Sequence, residues 1–210
     1  MENSKITVTA AQMKEIEKKA DAGGLSYLQM MENAGCAAYK IMMQRYPHAE
    51  SLAVFAGKGN NAGDGFVVAR LAAEEGKKVK VILTEGEPKT ADAVTNFSLL
   101  KGLPVRIVSV EEVNGPVEAD IVVDAIYGTG FHGDLRPAGK KACELINSSA
   151  GAVAALDVPS GVNCDSAQAA EGAVRALLTI SFHAYKPVHV SEDAKEYCGE
   201  SVLADIGIHV

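Results

Sequence analysis

A chain of 210 residues with 48% hydrophobic residues has the material for one domain with a substantial core. Its net charge of −7 and pI near 5.3 argue against general nucleic-acid binding, which needs basic surface to neutralise phosphates. No apolar run is long enough to span a membrane, and Met1-Glu2-Asn3-Ser4-Lys5 lacks the charged-then-apolar pattern of a signal segment. No nucleic-acid or membrane partner is therefore expected, and the expected location is cytoplasmic. Cys36, Cys143, Cys164 and Cys198 lie far apart, without zinc-site spacing, as suits free thiols in a reducing compartment.

Thr9-Ala10-Ala11-Gln12 reads as a capping box opening a helix to about residue 20. Gly23-Gly24 breaks that helix, and Ser26 caps a second one running to about Tyr46, before Pro47. Met30, Met31, Met42 and Met43 fall on this second helix, as core or dimer packing. Ser51-Leu52-Ala53-Val54-Phe55-Ala56 reads as a buried strand, followed by a glycine-rich turn over 57–65 and a helix over 66–75. Strands are expected at 79–83, 105–108, 119–124, 152–156 and 177–182, with an edge strand at 201–206 and helices at 90–100 and 137–149. Near-continuous Val, Ile, Leu and Ala strands alternating with helices indicate a parallel sheet covered on both faces. The expected fold over 1–210 is a single α/β domain: a three-layer, Rossmann-like, doubly wound, mainly parallel sheet with an N-terminal helical extension.

The turn Gly57-Lys58-Gly59-Asn60-Asn61-Ala62-Gly63-Asp64-Gly65 is the strongest single signal. Strand, glycine turn and helix direct backbone N–H groups to one point beside a helix N-terminus, where anions are favoured. Three meanings remain open. Gly57, Gly59 and Ala62 fit the dinucleotide fingerprint G-x-G-x-x-G/A, with Glu85 as a candidate ribose-binding acid; the loop lacks the Gly-Lys-Ser/Thr ending of a P-loop; and a plain packing turn would look similar. Two further polar loops follow strands: Asp124 with residues 125–134, and Asp157-Val158-Pro159-Ser160-Gly161. One strand-end aspartate is explained by turn capping, but two, each with a glycine-containing loop, favour a ligand site at the carboxyl ends of the strands. Lys58 could reach a phosphate or be solvated, His132 reads as a polar surface histidine, and Lys186 could pair with a carboxylate or end its strand.

These segments resemble the NAD(P)H-hydrate epimerases, the YjeF N-terminal domain family. The resemblance rests on Gly59-Asn60-Asn61-Ala62-Gly63-Asp64-Gly65, Val123-Asp124-Ala125-Ile126-Tyr127-Gly128-Thr129-Gly130 and Asp157-Val158-Pro159-Ser160-Gly161. Met31-Glu32-Asn33-Ala34-Gly35 and Thr179-Ile180-Ser181-Phe182, leading to Lys186-Pro187, extend it over essentially the whole chain. It implies a dimeric isomerase that interconverts the R and S epimers of hydrated NADH or NADPH, with a dehydratase as functional partner. The dinucleotide hydrate would be the substrate and a potassium ion the cofactor. By motif, Asn60, Asn61, Ala62, Gly63, Asp64, Gly128, Thr129, Gly130, Phe131, His132, Gly133, Asp134 and Asp157 would contact substrate, and Asn61, Asp124 and Ser160 would hold potassium. Relatives usually carry Gly where this chain has Ala62, a change tolerated unless the position needs a positive φ. The dehydratase segment fused to this one in many bacterial relatives is not in this sequence.

Inverting the hydrated carbon requires breaking and remaking its C–O bond, so a proton donor and a negative charge are needed. Asp124 is the expected catalytic carboxylate, with Asp157 orienting substrate or taking the second proton-transfer role. Bulk at Gly63 is expected to obstruct the ligand more than the fold. The competing functions are an NAD-dependent oxidoreductase and a non-catalytic binding or scaffold module of the same fold.

Overall fold

Seven strands form one parallel sheet in the computed structural model, which describes residues 7–209. They are β1 (Ser51–Ala56), β2 (Lys78–Leu83), β3 (Val105–Ser109), β4 (Ile121–Ala125), β5 (Ala152–Leu156), β6 (Leu178–Phe182) and β7 (Glu200–Ala204), in the order β3-β2-β1-β4-β5-β6-β7. Every neighbouring pair is parallel. The chain therefore builds outward from β1 through β2 to β3, then returns to lay β4 on β1's other side. This reversal between β1 and β4 creates the crevice in which such sheets bind ligands.

Alternation along the strands sorts the core into two layers. Leu52, Val54 and Ala56 of β1 face helices α1 (Ala10–Ala22), α2 (Tyr27–Arg45) and α3 (Asn60–Glu74), joined by Phe97 of α4 (Ala91–Ser98). Ala53 and Phe55 point the other way, onto Ala142, Cys143 and Ile146 of α5 (Pro137–Ser148). Both N-terminal caps form as the sequence suggests: Thr9 and Gln12 make a reciprocal capping box, and Ser26 accepts from Gln29 N. Met30, Met31 and Met42 are buried in the chain's own core, and Met43 packs beside it. All four cysteines are free.

The glycine turn is shorter than the sequence suggests. Only Gly57-Lys58-Gly59 turns; Gly59 is the N-cap, and the helix starts at Asn60, six residues before Phe66. Propensity argues against two asparagines and two glycines in opening turns, but packing overrides it. A Cβ on Gly63 would collide with Met31 Sδ and approach Ala93 Cα at 3.2 Å, while one on Gly65 would meet Ala125 Cβ at 2.6 Å. Gly63 is thus a contact between helices, not an exposed loop residue, and bulk there strikes the fold first. Ala62 is helical and fully buried, so its methyl is unstrained.

The C-terminal strand runs Glu200–Ala204, ending before Asp205, after the four-residue α6 (Lys195–Cys198) that the sequence did not suggest. The expectation drawn from Met1–Lys5 falls outside the described residues. Among those described, no helix is long and apolar enough to cross a membrane.

Candidate functional site

A cleft of about 380 Å³ opens over the carboxyl ends of the central strands. Gly57 permits its formation: a Cβ there would overlap Ile126 O, and Gly57 N donates to Ala125 O at 3.1 Å, so the turn after β1 lies against the loop after β4. Beside this junction α3 begins without a side-chain cap, leaving its leading N–H groups to a ligand. Asn61, in the first turn, lines the cleft while both its Oδ1 and Nδ2 are buried without a hydrogen-bond partner. Such a cost is not normally left unmet in a native fold, so the amide marks a ligand position. Gly128 fits between Asn61 and Asp157, since a Cβ there would lie 3.5 Å from Asn61 Cβ and 3.2 Å from Asp157 Oδ2.

One end of the cleft is acidic. Asp157 follows β5 with φ of 63°, a left-handed conformation that costs a non-glycine residue energy. Several contacts hold it there. Lys186 Nζ, itself 1% exposed, donates to Asp157 Oδ1 at 2.6 Å, to Phe182 O at 3.0 Å and to Ser181 Oγ at 3.3 Å. Thr129 N donates to Asp157 Oδ2 at 3.3 Å. His189 lies behind this pair, with Nδ1 accepting from Lys186 N at 2.9 Å and Nε2 bonded to Asp157 O at 2.7 Å. Nδ1 must be unprotonated to accept, so Nε2 carries the hydrogen and the ring is neutral. Burial accordingly pushes the His189 pKa down to about 4.

Two more carboxyls share that end. Asp64, one helical turn beyond Asn60, has no hydrogen-bond partner among the described residues. Burial first, then the charges of Asp157 and Glu17, hold its pKa well above the ordinary carboxylate value, against the opposing pull of Lys186. Glu17 of α1 is raised in the same way, chiefly by burial and then by Asp157. A carboxyl that holds its proton more tightly than usual is suited to act as a general acid.

Asp124 is placed differently from what the sequence suggests. It is fully buried and does not line the cleft. Ser160 Oγ donates to its Oδ1 at 2.6 Å, Ser160 N to its Oδ2 at 2.7 Å and Ile126 N to its Oδ1 at 3.2 Å. Burial raises its pKa to about 6, with those three bonds pulling the other way. Ser160 Oγ also accepts from Tyr127 N at 2.9 Å, so Asp124 and Ser160 lock the loops after β4 and β5 together beneath the cleft. Of the two strand-end aspartates, Asp157 is the one that lines the cleft.

The opposite end carries Glu85, Arg136, Lys58 and Tyr127. Arg136 and Lys58 pair with Glu85, and Tyr127 Oη donates to it at 3.1 Å. Burial and then the Glu85 charge push the Tyr127 pKa up to about 12. The Tyr127 ring lies 5.3 Å from that of Phe131, centroid to centroid, on the cleft wall.

Of the expected substrate contacts, Asn60, Asn61, Asp64, Gly128, Thr129, Gly130, Phe131 and Asp157 line the cleft. Ala62 and Gly63 instead face the helical layer, and His132, Gly133 and Asp134 are exposed beyond the cleft, with His132 Nδ1 2.8 Å from Asn163 Nδ2. Met13, Glu17, Tyr127, Arg136, Phe182 and His189 were not anticipated. Glu17 and Met13 arrive through a long-range contact, Val8 N donating to Tyr185 O at 2.8 Å, which docks α1 beside the Lys186 segment. Nothing local to α1 signals this. Among the described residues no three His, Cys, Asp or Glu side chains converge as a metal site. The oxygens of Asn61, Asp124 and Ser160 are hard donors suited to an alkali cation, and the unpartnered Asn61 Oδ1 is the observation that favours one.

The model of the YjeF-related protein N-terminus matches residues 27–188. The chain is 36% identical over 212 aligned residues to the bifunctional NAD(P)H-hydrate repair enzyme Nnr of Pyrobaculum aerophilum, covering 96% of this chain and 42% of that one. It is 35% identical to the NAD(P)H-hydrate epimerase of Cenarchaeum symbiosum, covering 96% of this chain and 95% of the relative. The chain thus spans about two fifths of the bifunctional relatives it matches and nearly all of the epimerase. The crystal structure of yeast ynu0, YNL200c, shares the fold, with a TM-score of 0.77 at 23% identity, over 94% of this chain and 87% of that one.

Proposed function

The chain belongs to the family of YjeF-related protein N-termini, and from that premise we propose that it interconverts the R and S epimers of NADH or NADPH hydrated at nicotinamide C6. The observation that carries this is the pairing, in one cleft, of an uncapped helix N-terminus with an end built from Asp157–Lys186, Asp64 and the unpartnered Asn61. The helix N–H groups suit a pyrophosphate, and the acidic end suits a ring that becomes cationic as it reacts. Asp64 serves as the acid that donates a proton to the C6 hydroxyl; the C–O bond breaks and water leaves. The resulting iminium is stabilised by the Asp157 carboxylate, which Lys186 and His189 hold in place. Water then adds to the opposite face and loses its proton to solvent, from which Asp64 is reprotonated, so no atom or electron is gained or lost. The dinucleotide is substrate throughout, and no hydride moves.

Asn61, Asp124 and Ser160 would hold a potassium ion, which would supply fixed positive charge and tie the start of α3 to the loops after β4 and β5. We further read the chain as one such domain, working as a homodimer in the cytoplasm beside an NAD(P)H-hydrate dehydratase.

The test is incubation with pure R hydrate, following the S epimer by chromatography against the uncatalysed interconversion. An unchanged rate would overturn the proposal. Asp157→Asn should lower the rate by about 10²-fold or more, and should also lower stability, because the buried Lys186 ammonium loses its counter-charge and keeps only neutral acceptors. Asp124→Asn should lower the unfolding free energy by about 1–3 kcal/mol, because its new NH2 must face donors already pointing at it. Full activity in Asp157→Asn would return the reacting role to another carboxyl.

A further inference from the structure

Glu85 lines the end of the cleft away from Asp157 and Asp64, and the epimerisation chemistry has no use for it. It stands two residues beyond β2, where Thr84 N donates to Ala56 O at 2.9 Å and Lys89 N to Lys58 O at 2.9 Å, so its loop is fastened to the turn that opens α3. In dinucleotide-binding sheets, an acid at this strand end receives the ribose diol of the nucleotide whose pyrophosphate sits on the neighbouring helix. That role requires free acceptor oxygens. Here neither is free. Oε1 lies 2.8 Å from Arg136 Nε and accepts from Tyr127 Oη at 3.1 Å, while Oε2 accepts from Arg136 Nη2 at 3.0 Å and lies 3.5 Å from Lys58 Nζ.

Exposure runs the same way. The Glu85 side chain is 8% exposed, whereas those of Arg136 and Lys58 are 60% and 34% exposed. The ligand therefore meets the two cations before it meets the carboxylate. A 2′-hydroxyl gains an acceptor only by displacing an existing partner of Glu85. A 2′-phosphate finds two cations already positioned, one of them a guanidinium able to take it in a two-pronged bond. At the cleft's other end, Glu17, Asp64 and Asp157 surround a single ammonium that is already fully engaged, so a phosphate is disfavoured there.

We propose that Glu85, Arg136 and Lys58 form the nucleotide-selecting subsite, and that it favours the dinucleotide hydrate bearing a 2′-phosphate over the one with a free 2′-hydroxyl. Glu85 serves to position the cations, and Arg136 is the discriminating group. The proposal rests on the dinucleotide-hydrate reading of the same cleft and fixes the orientation of the ligand within it, with adenosine at Glu85 and nicotinamide at Asp157.

Calorimetric titration of the full chain with adenosine 2′,5′-bisphosphate and with 5′-AMP, at matched ionic strength, reads the subsite without any turnover. The bisphosphate should bind at least about tenfold more tightly. Arg136→Ala should bring the ratio towards one, and Lys58→Ala should lower it by less. The ratio of kcat/KM for the two hydrates should move in the same sense in each variant. Equal binding of the two probes by the wild type, or an unchanged ratio in Arg136→Ala, overturns the proposal. A clear preference for the bisphosphate without turnover of either hydrate would instead sink the epimerase reading and leave the subsite standing.

Discussion

His189 forms its two bonds only while neutral, since protonated Nδ1 would point a hydrogen at Lys186 N–H. Its folded pKa of about 4 lies below the free-imidazole value of 6.5, so the folded chain binds fewer protons there than the unfolded one. Its contribution is therefore fully present above pH 6.5 and is lost as the pH falls through about 4. The amount is about 3 kcal/mol. Asp64 and Glu17, both raised, act in the opposite direction over the acid range, so the effect must be read as a difference between proteins. His189→Gln keeps an acceptor and a donor but does not titrate. Unfolding free energies of wild type and variant should converge as the pH falls from neutrality to about 4; a constant gap would show that His189 is no such clamp. Sequence reading could not find this residue. Nothing in Lys186-Pro187-Val188-His189 announces that the chain turns there through a short 3₁₀ segment (Pro187–Val190) and brings the imidazole beneath Asp157.

The elements themselves were largely legible, because strand and helix periodicities are local properties. The strands β1, β2 and β5 lie within a residue of their expected bounds, and both N-terminal helices begin at the caps the sequence offers. The start of α3 was not legible. Asn60, Asn61, Gly63 and Gly65 are poor helix formers; the tight approach of Met31 on α2 and Ala125 on β4 explains the two glycines, while the two asparagines line the cleft. It follows that Gly63→Val should lower stability by about 2–3 kcal/mol through overpacking. Chemical denaturation checks this, and Met31→Ala in the same chain should recover part of the loss through coupling of the two positions. A Gly63→Val protein as stable as wild type would contradict the packing of α2 on α3. The site shows the same division. Polar groups in the strand-end motifs could be listed from sequence, but whether a given carboxylate opens to the cleft, as Asp157 does, or is sealed beneath it, as Asp124 is, depends on how two loops from different strands meet.

At the scale of the molecule, Asn61 comes from the helix after β1, Asp124 from β4 and Ser160 from the loop after β5. A cation shared among them would link three crossovers of the sheet. Thermal stability should then rise with potassium according to the ratio of its concentration to its dissociation constant, and Asn61→Ala should reduce the rise. Melting curves in potassium and in a large organic cation at matched ionic strength test this, and identical curves would exclude the ion.

The return of the chain from β3 to place β4 against β1 carries a consequence for folding. Leu52 and Ile121 are register partners although far apart in sequence, and no hairpin anywhere in the sheet offers a local shortcut. Loop closure must precede the reward of that pairing, which makes it a slow step. The cleft has no existence before it, because one wall follows β1 and the other follows β4. Ligand capture should therefore return only with the slowest refolding phase, after helical signal has recovered, so the binding site doubles as a clock for the last long-range closure of the chain.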